Sequence, residues 1–435
     1  MEKMNYDVII IGAGPAGYVA AIRAGQVGLK TLLIDKDKVG GMCINWGCIP
    51  SKSMIESAKF YYRLNQAEEF GIDGINLSKT SLNWKKAIDR ARTISAKMHS
   101  GIELLLHKHG VETIIGKAII TAENTISVNK RSITGKNIII ATGSYPIDSD
   151  RKGIKSLKAL YGLNELPETI AIEGNGAVAV ETAQLVNLAG SKTYLVSDSD
   201  ELVPGVDKYI NDYLKKQLKL QGISLIKTNK DISADIWINA NQRSAILPES
   251  KIKIETTENG FINTNMNLQT NIPSIYAIGD VNGRSSYAHA GSAQGQFVIN
   301  NIKGVKGGIE LGLYPINLYT FPEIAQIGAT EQVLQEEDID YKISEFPLSM
   351  NAKAMISGQT EGVVRILSER RYGEVMGVQI IAEHATDMIA EAAAFMEMEA
   401  TVYDVAKTIH AHPTISEVFM EAGYDAFDKA IHKIK

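Results

Sequence analysis

Two cysteines, Cys43 and Cys48, stand five positions apart in the stretch GGMCINWGCIPSK, and the 435-residue chain has no others. Such a pair could be half of a zinc site, a disulfide staple or a reversible dithiol. Zinc takes four ligands and no second cysteine pair exists, while His107 and His109 of "HKH" read as a solvated helix end. On an ideal α-helix, residues five apart have Cα atoms about 8.7 Å apart, beyond the limit of about 7 Å for a disulfide. The thiols can therefore meet only if the segment leaves regular helix. Gly40, Gly41 and Gly47 allow that, and Pro50 limits the regularity of the turn that follows. A bond closing so short a loop would add little stability, so a reversible dithiol is the better reading.

A thiol needs a base to react near neutral pH. The candidate lies far along the chain in "HAHPTISE", His410 to Glu417. Pro413 biases His412 toward an extended backbone that displays its ring, and Glu417 is spaced to orient the imidazole and favour its charged form. Thr414 and Glu417 also match a capping box, and one carboxylate is not expected to serve both tasks fully.

Chemistry of this kind needs a frame. Strand and helix patterns alternate along the chain, which points to an α/β fold with parallel sheets. "YDVIII" reads as a buried strand, "GAGPAG" follows with Gly12, Gly14 and Gly17, an Ala-rich helix comes next, and "TLLID" ends at Asp35. Gly12 suits the tight turn, Gly14 the approach of a pyrophosphate, and Gly17 close helix–strand packing; Asp35 is placed for a ribose 2′-hydroxyl. The same grammar recurs from Glu168 to Asp198 in "TIAIEGNGAVA", with Gly174, Gly176 and then Ala179. Two dinucleotide folds in one chain suggest two cofactors exchanging electrons. In the second copy Ser197 stands at the offset of Asp35 with Asp198 beside it, and the acidic "SDSDE" disfavours a 2′-phosphate, so NAD is expected over NADP. "IPSIYAIGD" is a short strand ending in Asp280, readable either as a turn aspartate or as a carboxylate at a ligand-binding sheet edge.

Composition sets outer limits. Charged residues are 22% and the formal net charge is −5, which argues against a nucleic-acid binder. The first apolar run is too short for a membrane span or a signal segment, so a reducing cytoplasmic setting is expected, where structural disulfides are rare.

"GGMCINWGCIPSK", "GAGPAG", "IYAIGD" and "HAHPTISE" together resemble the class I FAD-dependent pyridine nucleotide-disulfide oxidoreductases, the dihydrolipoamide dehydrogenases most of all. The resemblance spans nearly the whole chain. It implies that Cys48 lies nearer the flavin as a thiolate while Cys43 exchanges with substrate. It further implies that Lys52 and Glu181 pair beside the flavin, that Asp280 holds the ribityl chain, and that Gly41, Thr142 and Gly143 line the FAD site. His412 and Glu417 would act as a dyad across the interface of a homodimer, on a lipoyl-carrying protein. Relatives with a second, C-terminal redox pair need more cysteines than this chain has, and CoA-disulfide reductases use one active-site cysteine. Another disulfide substrate, a non-NAD acceptor, or a flavoprotein redox sensor without nicotinamide turnover are the alternatives.

The expected architecture is two Rossmann-like dinucleotide-binding domains and a C-terminal α+β dimerisation domain. Residues 1–145 and 273–315 would form the FAD domain, 146–272 a shortened NAD-binding-type domain, and 316–435 the interface domain. Between Ser197 and Asp280 the chain is short for the resemblance, and the usual Gly-Arg-x-Pro-Asn stretch reads Gln242-Arg243 with Ala245 and Ile246 in place of Pro-Asn.

Overall fold

The computed structural model of the chain describes residues 5–149, 151–227, 232–305 and 308–434. By contacts the chain divides into two units. The first comprises 1–57, 82–165 and 241–311, the second 58–81, 166–240 and 312–435.

The first unit starts from strand β1 (Tyr6–Ile11), whose apolar run is buried on both faces, as a central parallel strand requires. Helix α1 (Pro15–Gln26) begins with Pro at its first turn and buries Ala16, Gly17, Ala20, Ala21 and Ala24. Small side chains on that face let it lie close to its neighbours. Strand β2 (Thr31–Asp35) pairs parallel with β1 in the register Val8 to Thr31 through Ile11 to Ile34. Strand β3 (Glu112–Ile115) extends the sheet beyond β2, and the strand Arg131–Ile140 lies on the other side of β1. That ten-residue strand serves two sheets in turn. Its first residues pair antiparallel with Thr125–Val128, and its last pair parallel with both β1 and the strand Ile275–Ala277.

Contacts group 146–165 and 241–272 with this first unit, whereas the signatures alone suggested a nicotinamide-type segment running from 146 to 272. Hydrogen bonding accounts for the difference. The strand Arg243–Ala245 pairs antiparallel with Ser144–Pro146, and Glu249–Ser250 joins the edge of the antiparallel sheet at Ile119–Ile120. Ile262 and Leu268 are then buried in the first unit's cores.

The second unit holds four parallel strands in the order Ser224–Ile226, Lys192–Val196, Thr169–Glu173, Ile236–Asn239. Ile226 ends one strand and Ile236 begins the next along the chain, in keeping with the short stretch between Ser197 and Asp280. The same unit carries a five-stranded antiparallel sheet in the order Ile316–Leu318, Glu323–Gly328, Val375–Ala382, Val363–Glu369, Tyr341–Pro347. Helices Ala385–Glu397 and Glu417–Asp425 bury Met388, Ile389, Phe419 and Ala422 in a core shared with Phe346 and Ile380 of that sheet. Met388 is a core residue, and Met396 packs against the same core. Among the described residues no helix is long and apolar enough to cross a membrane.

Candidate functional site

In the first unit, the chain leaves β1 through Gly12 at a φ of +107°, and a side chain there would strike the Ala141 carbonyl oxygen at 2.2 Å. A Cβ at Gly17 would lie 1.8 Å from the Gly12 carbonyl oxygen, so α1 can start this close to β1 only without one. Gly14 is different. Nothing lies within 4 Å of where its Cβ would be, so the loop is closed against protein on two sides and open above its middle residue. Asp35 Oδ2 accepts the Ala13 N–H at 2.6 Å, and Oδ1 accepts that of Asp37 at 2.9 Å. The acid expected at a ribose also fixes the glycine loop. A tight turn, bare backbone at a helix N-terminus and an acid at the next strand end fit a dinucleotide.

The cysteine segment rests on this loop, for a Cβ at Gly41 would be 2.6 Å from the Gly14 Cα. Helix α2 (Gly41–Asn45) carries Cys43 and stops at Trp46, whose φ of −159° is not helical. Helix α3 (Cys48–Arg63) restarts at the second cysteine. The break supplies the departure from regular helix that the spacing demanded. Both cysteines are free thiols. The Cys43 thiol is hydrogen-bonded to the Cys48 sulfur, and that bond, burial and the Cys48 charge push its pKa well up, with Lys52 and the Cys48 N–H pulling the other way. Cys48, as the first residue of a 16-residue helix, sits where a helix N-terminus favours a thiolate. Among the described residues there is no group of three or more His, Cys, Asp or Glu side chains placed to hold a metal ion.

The opposite wall comes from the ribbon of Ser144–Pro146 and Arg243–Ala245 and from the turn Gly279–Asn282. Thr142 and Gly143 lead into it. The Thr142 hydroxyl donates to the Ile246 carbonyl, and Gly143 has a φ of +77°. The Ser144 hydroxyl donates to Asp280 Oδ2. Arg243 reaches the Ser144 hydroxyl from Nε at 2.7 Å, the Ser144 carbonyl at 2.6 Å and the Met42 sulfur at 3.2 Å from Nη2, and lies 3.7 Å from Asp280. Burial pushes the Asp280 carboxyl up, with Ser144 and Arg243 pulling it back. Burial likewise lowers the Arg243 guanidinium, against the pull of Asp280 and Cys48. Sequence reasoning read Arg243 only as the remnant of a broken nicotinamide motif. The structure makes it a buried cation tied to the residue next to Cys43.

The second unit holds the remaining candidates. Gly174 and Gly176 have φ of +136° and +90°, and their N–H groups bind the Val196 and Leu202 carbonyls. No atom lies within 4 Å of a Cβ on Gly176, and Ala179 is fully buried in the helix Ala177–Leu188. Ser197 turns its hydroxyl to the Ser199 N–H at 3.2 Å, Asp198 is exposed, and Asp200 is paired with Lys227. Glu181, 5% exposed in the same helix, accepts the Tyr319 N–H at 2.9 Å. Lys52, on α3 of the first unit, acts electrostatically on Cys43.

His412 and Glu417 do meet. His412 Nδ1 and Glu417 Oε1 are 2.8 Å apart, and Oε2 accepts the Thr414 N–H, also at 2.8 Å. The expected capping box does not form: the helix starts at Glu417 after Ser416, and the Thr414 hydroxyl donates to the Ala411 carbonyl instead, so Glu417 holds the ring with one oxygen and the Thr414 backbone with the other. Burial raises the Glu417 carboxyl, but the Thr414 N–H, the His412 bond and the charges of His412 and His410 leave it below the usual carboxylate value. An ionised Glu417 only accepts, so Nδ1 carries a hydrogen, and in the neutral ring Nε2 is the nitrogen left with a lone pair. The His412 side chain is 71% exposed.

Residues 6–236 and 226–296 match the model of the pyridine nucleotide-disulphide oxidoreductases, and residues 314–423 match that family's dimerisation domain. Among characterised proteins, a dihydrolipoyl dehydrogenase of Bacillus subtilis is 34% identical over 476 residues, spanning 98% of this chain and 99% of the relative. The dihydrolipoyl dehydrogenase of Mycoplasma genitalium is 34% identical over 447 residues, 95% of this chain and 97% of its own length. The solved structure of the HOCl-induced flavoprotein disulfide reductase RclA from Escherichia coli superposes with a TM-score of 0.84. At 22% identity, over 95% of this chain and 98% of that one, it shares the fold.

Proposed function

The chain belongs to the pyridine nucleotide-disulphide oxidoreductase family and is an FAD-dependent dithiol–disulfide oxidoreductase of the dihydrolipoyl dehydrogenase type; from that premise we propose that it oxidises a protein-bound dihydrolipoyl group, with NAD as final acceptor. The observation that carries this reading is the thiol pair on the nucleotide loop, with the Cys43 thiol bonded to the Cys48 sulfur and Cys48 at the start of α3. Gly12, Gly14, Gly17, Asp35, Gly41, Thr142, Gly143 and Asp280 would hold FAD, and Gly174, Gly176 and Asp198 would hold NAD. Bound FAD supplies the two-electron acceptor that returns the cysteines to a disulfide.

His412 Nε2 takes the proton of one substrate thiol, and Glu417 holds the ring in the required tautomer and steadies the imidazolium. The substrate thiolate attacks Cys43 Sγ of the oxidised pair, the Cys43–Cys48 bond breaks, and Cys48 leaves as a thiolate at the start of α3. The second substrate thiol attacks the mixed disulfide, the substrate leaves oxidised and Cys43 is released; Cys43 takes the proton His412 holds, and the proton of the second thiol passes to His412, so the reduced enzyme carries a Cys43 thiol, a Cys48 thiolate and a protonated His412. Two electrons and two protons have then moved from substrate to enzyme. In the family's working dimer the base of one protomer serves the thiols of its partner, and we extend that homodimer to this chain. Lys52 and Glu181 are proposed to pair beside the flavin. A cytoplasmic setting suits a pair that must cycle rather than stay oxidised.

Stopped-flow reduction of the holoenzyme with dihydrolipoamide and, separately, with NADH tests this. Both should reduce it, and His412→Gln should slow the dithiol reaction about 100-fold or more while sparing the NADH reaction. Fast reduction by dihydrolipoamide with none by either nicotinamide would leave another electron acceptor to be found. Equal loss in both reactions of the variant would remove His412 from the chemistry.

A further inference from the structure

The exposed turn that presents His412 has one side chain turned inward. Ile409, Ala411, His412 and Pro413 are all exposed, Ile409 at 94%, whereas the His410 side chain is 5% exposed. Its two ring nitrogens face two acceptors. Nε2 lies 2.6 Å from Glu391 Oε1, on the helix Ala385–Glu397, and Nδ1 lies 2.9 Å from the Thr408 carbonyl at the end of the helix Val402–Lys407. A carbonyl oxygen cannot donate and an ionised carboxylate does not, so both bonds exist together only when the ring carries two hydrogens. A neutral imidazole must give up one of them.

We propose that His410 is a positioning residue, a doubly protonated clamp that ties the His412 turn to the neighbouring helix and sets the alkaline limit of dithiol oxidation. The proposal rests on His412 acting as the base. The groups acting on His410 are Glu391, the Thr408 carbonyl and, at longer range, Glu417. The Glu391 bond, opposed by burial and supported by the Glu391 charge, raises the His410 pKa above that of an ordinary histidine. The sign follows from that direction. The clamp is complete at low and neutral pH and is lost as pH rises through the raised value of the folded protein.

Histidine ring carbons, labelled with carbon-13 in the full-length holoenzyme, should show one of the eight histidines titrating above the rest. Glu391→Gln should bring that signal down by about one pH unit or more, since a nearby opposite charge is worth that much. In the same variant the alkaline limb of reduction by dihydrolipoamide should move down by the same amount, with NADH reduction unmoved. His410→Gln should abolish that limb and slow dithiol oxidation roughly 10-fold at neutral pH, a smaller loss than for a general base. An ordinary His410 titration in the unmodified protein overturns the proposal, as does an alkaline limb indifferent to Glu391→Gln. A His410 that titrates high beside an inactive role for His412 would sink the base assignment and leave the clamp intact, so the two failures read differently.

Discussion

The two glycine loops share a grammar and differ in how much protein is pressed against them. At the first, side chains on Gly12 or Gly17 would meet backbone at 2.2 and 1.8 Å, and Asp35 binds the loop directly at 2.6 Å. At the second, Gly176 is as open as its counterpart Gly14, but Ala179 carries the methyl for which Gly17 has no room, and Ser197 contributes only a local bond to Ser199. A loop clamped by its own fold is pre-shaped before any ligand arrives, so its ligand need not supply the ordering energy. A loosely held loop leaves more of that cost to binding. The contrast suits a resident cofactor at the first loop and an exchangeable one at the second.

The strongest way to break this comparison is Gly17→Ala. The added methyl has only the Gly12 carbonyl to displace, so we expect a loss of about 3 kcal/mol or more and a protein that emerges from gel filtration without flavin. Retained flavin and an unmoved urea midpoint would mean that the first loop is no tighter than the second. Asp35→Asn comes next. It exchanges a charge-assisted bond to Ala13 for a neutral one or loses it, and flavin retention should weaken by roughly 1.5 to 3 kcal/mol, read by fluorescence on dilution.

How much of this was legible beforehand depended on whether the relevant contact was local. Gly12, Gly17, Asp35 and the cysteine pair declare themselves because strand, turn and helix geometry fix their neighbours within one βαβ unit. Arg243 could not be placed that way. Its partners at Ser144 and Met42 come from the pairing of two short distant strands, and the broken motif around it suggested loss rather than a relocated contact. His410 and Glu391 are likewise joined across two helices with no periodic relation. The capping box at Thr414 was misjudged for a local reason, because Thr414 turns its hydroxyl back to the Ala411 carbonyl and the helix starts only at Glu417.

Smaller effects sharpen the comparison from the other side. Ser197→Glu should supply the missing ribose carboxylate and improve NADH affinity about 10-fold, equal to about 1.4 kcal/mol, measured as the concentration dependence of flavin reduction. An unchanged affinity would show that the strand end already turns Asp198 inward. Asp198→Asn removes the one acid proposed to hold NAD at that strand end and should weaken NADH affinity about fivefold, the upper scale for an exposed charge. An unmoved affinity would remove Asp198 from the site.

The contact of Gly41 with Gly14 has a consequence for descent. Gly41 cannot take on a side chain while the loop at Gly14 stays put, since the first atom added at Gly41 would already press on the Gly14 backbone at 2.6 Å. The nucleotide loop and the stretch leading to the thiols are therefore inherited as one block. A lineage that let the cofactor loop drift would lose the shape of its dithiol in the same step, whereas the loosely held second loop is free to drift alone.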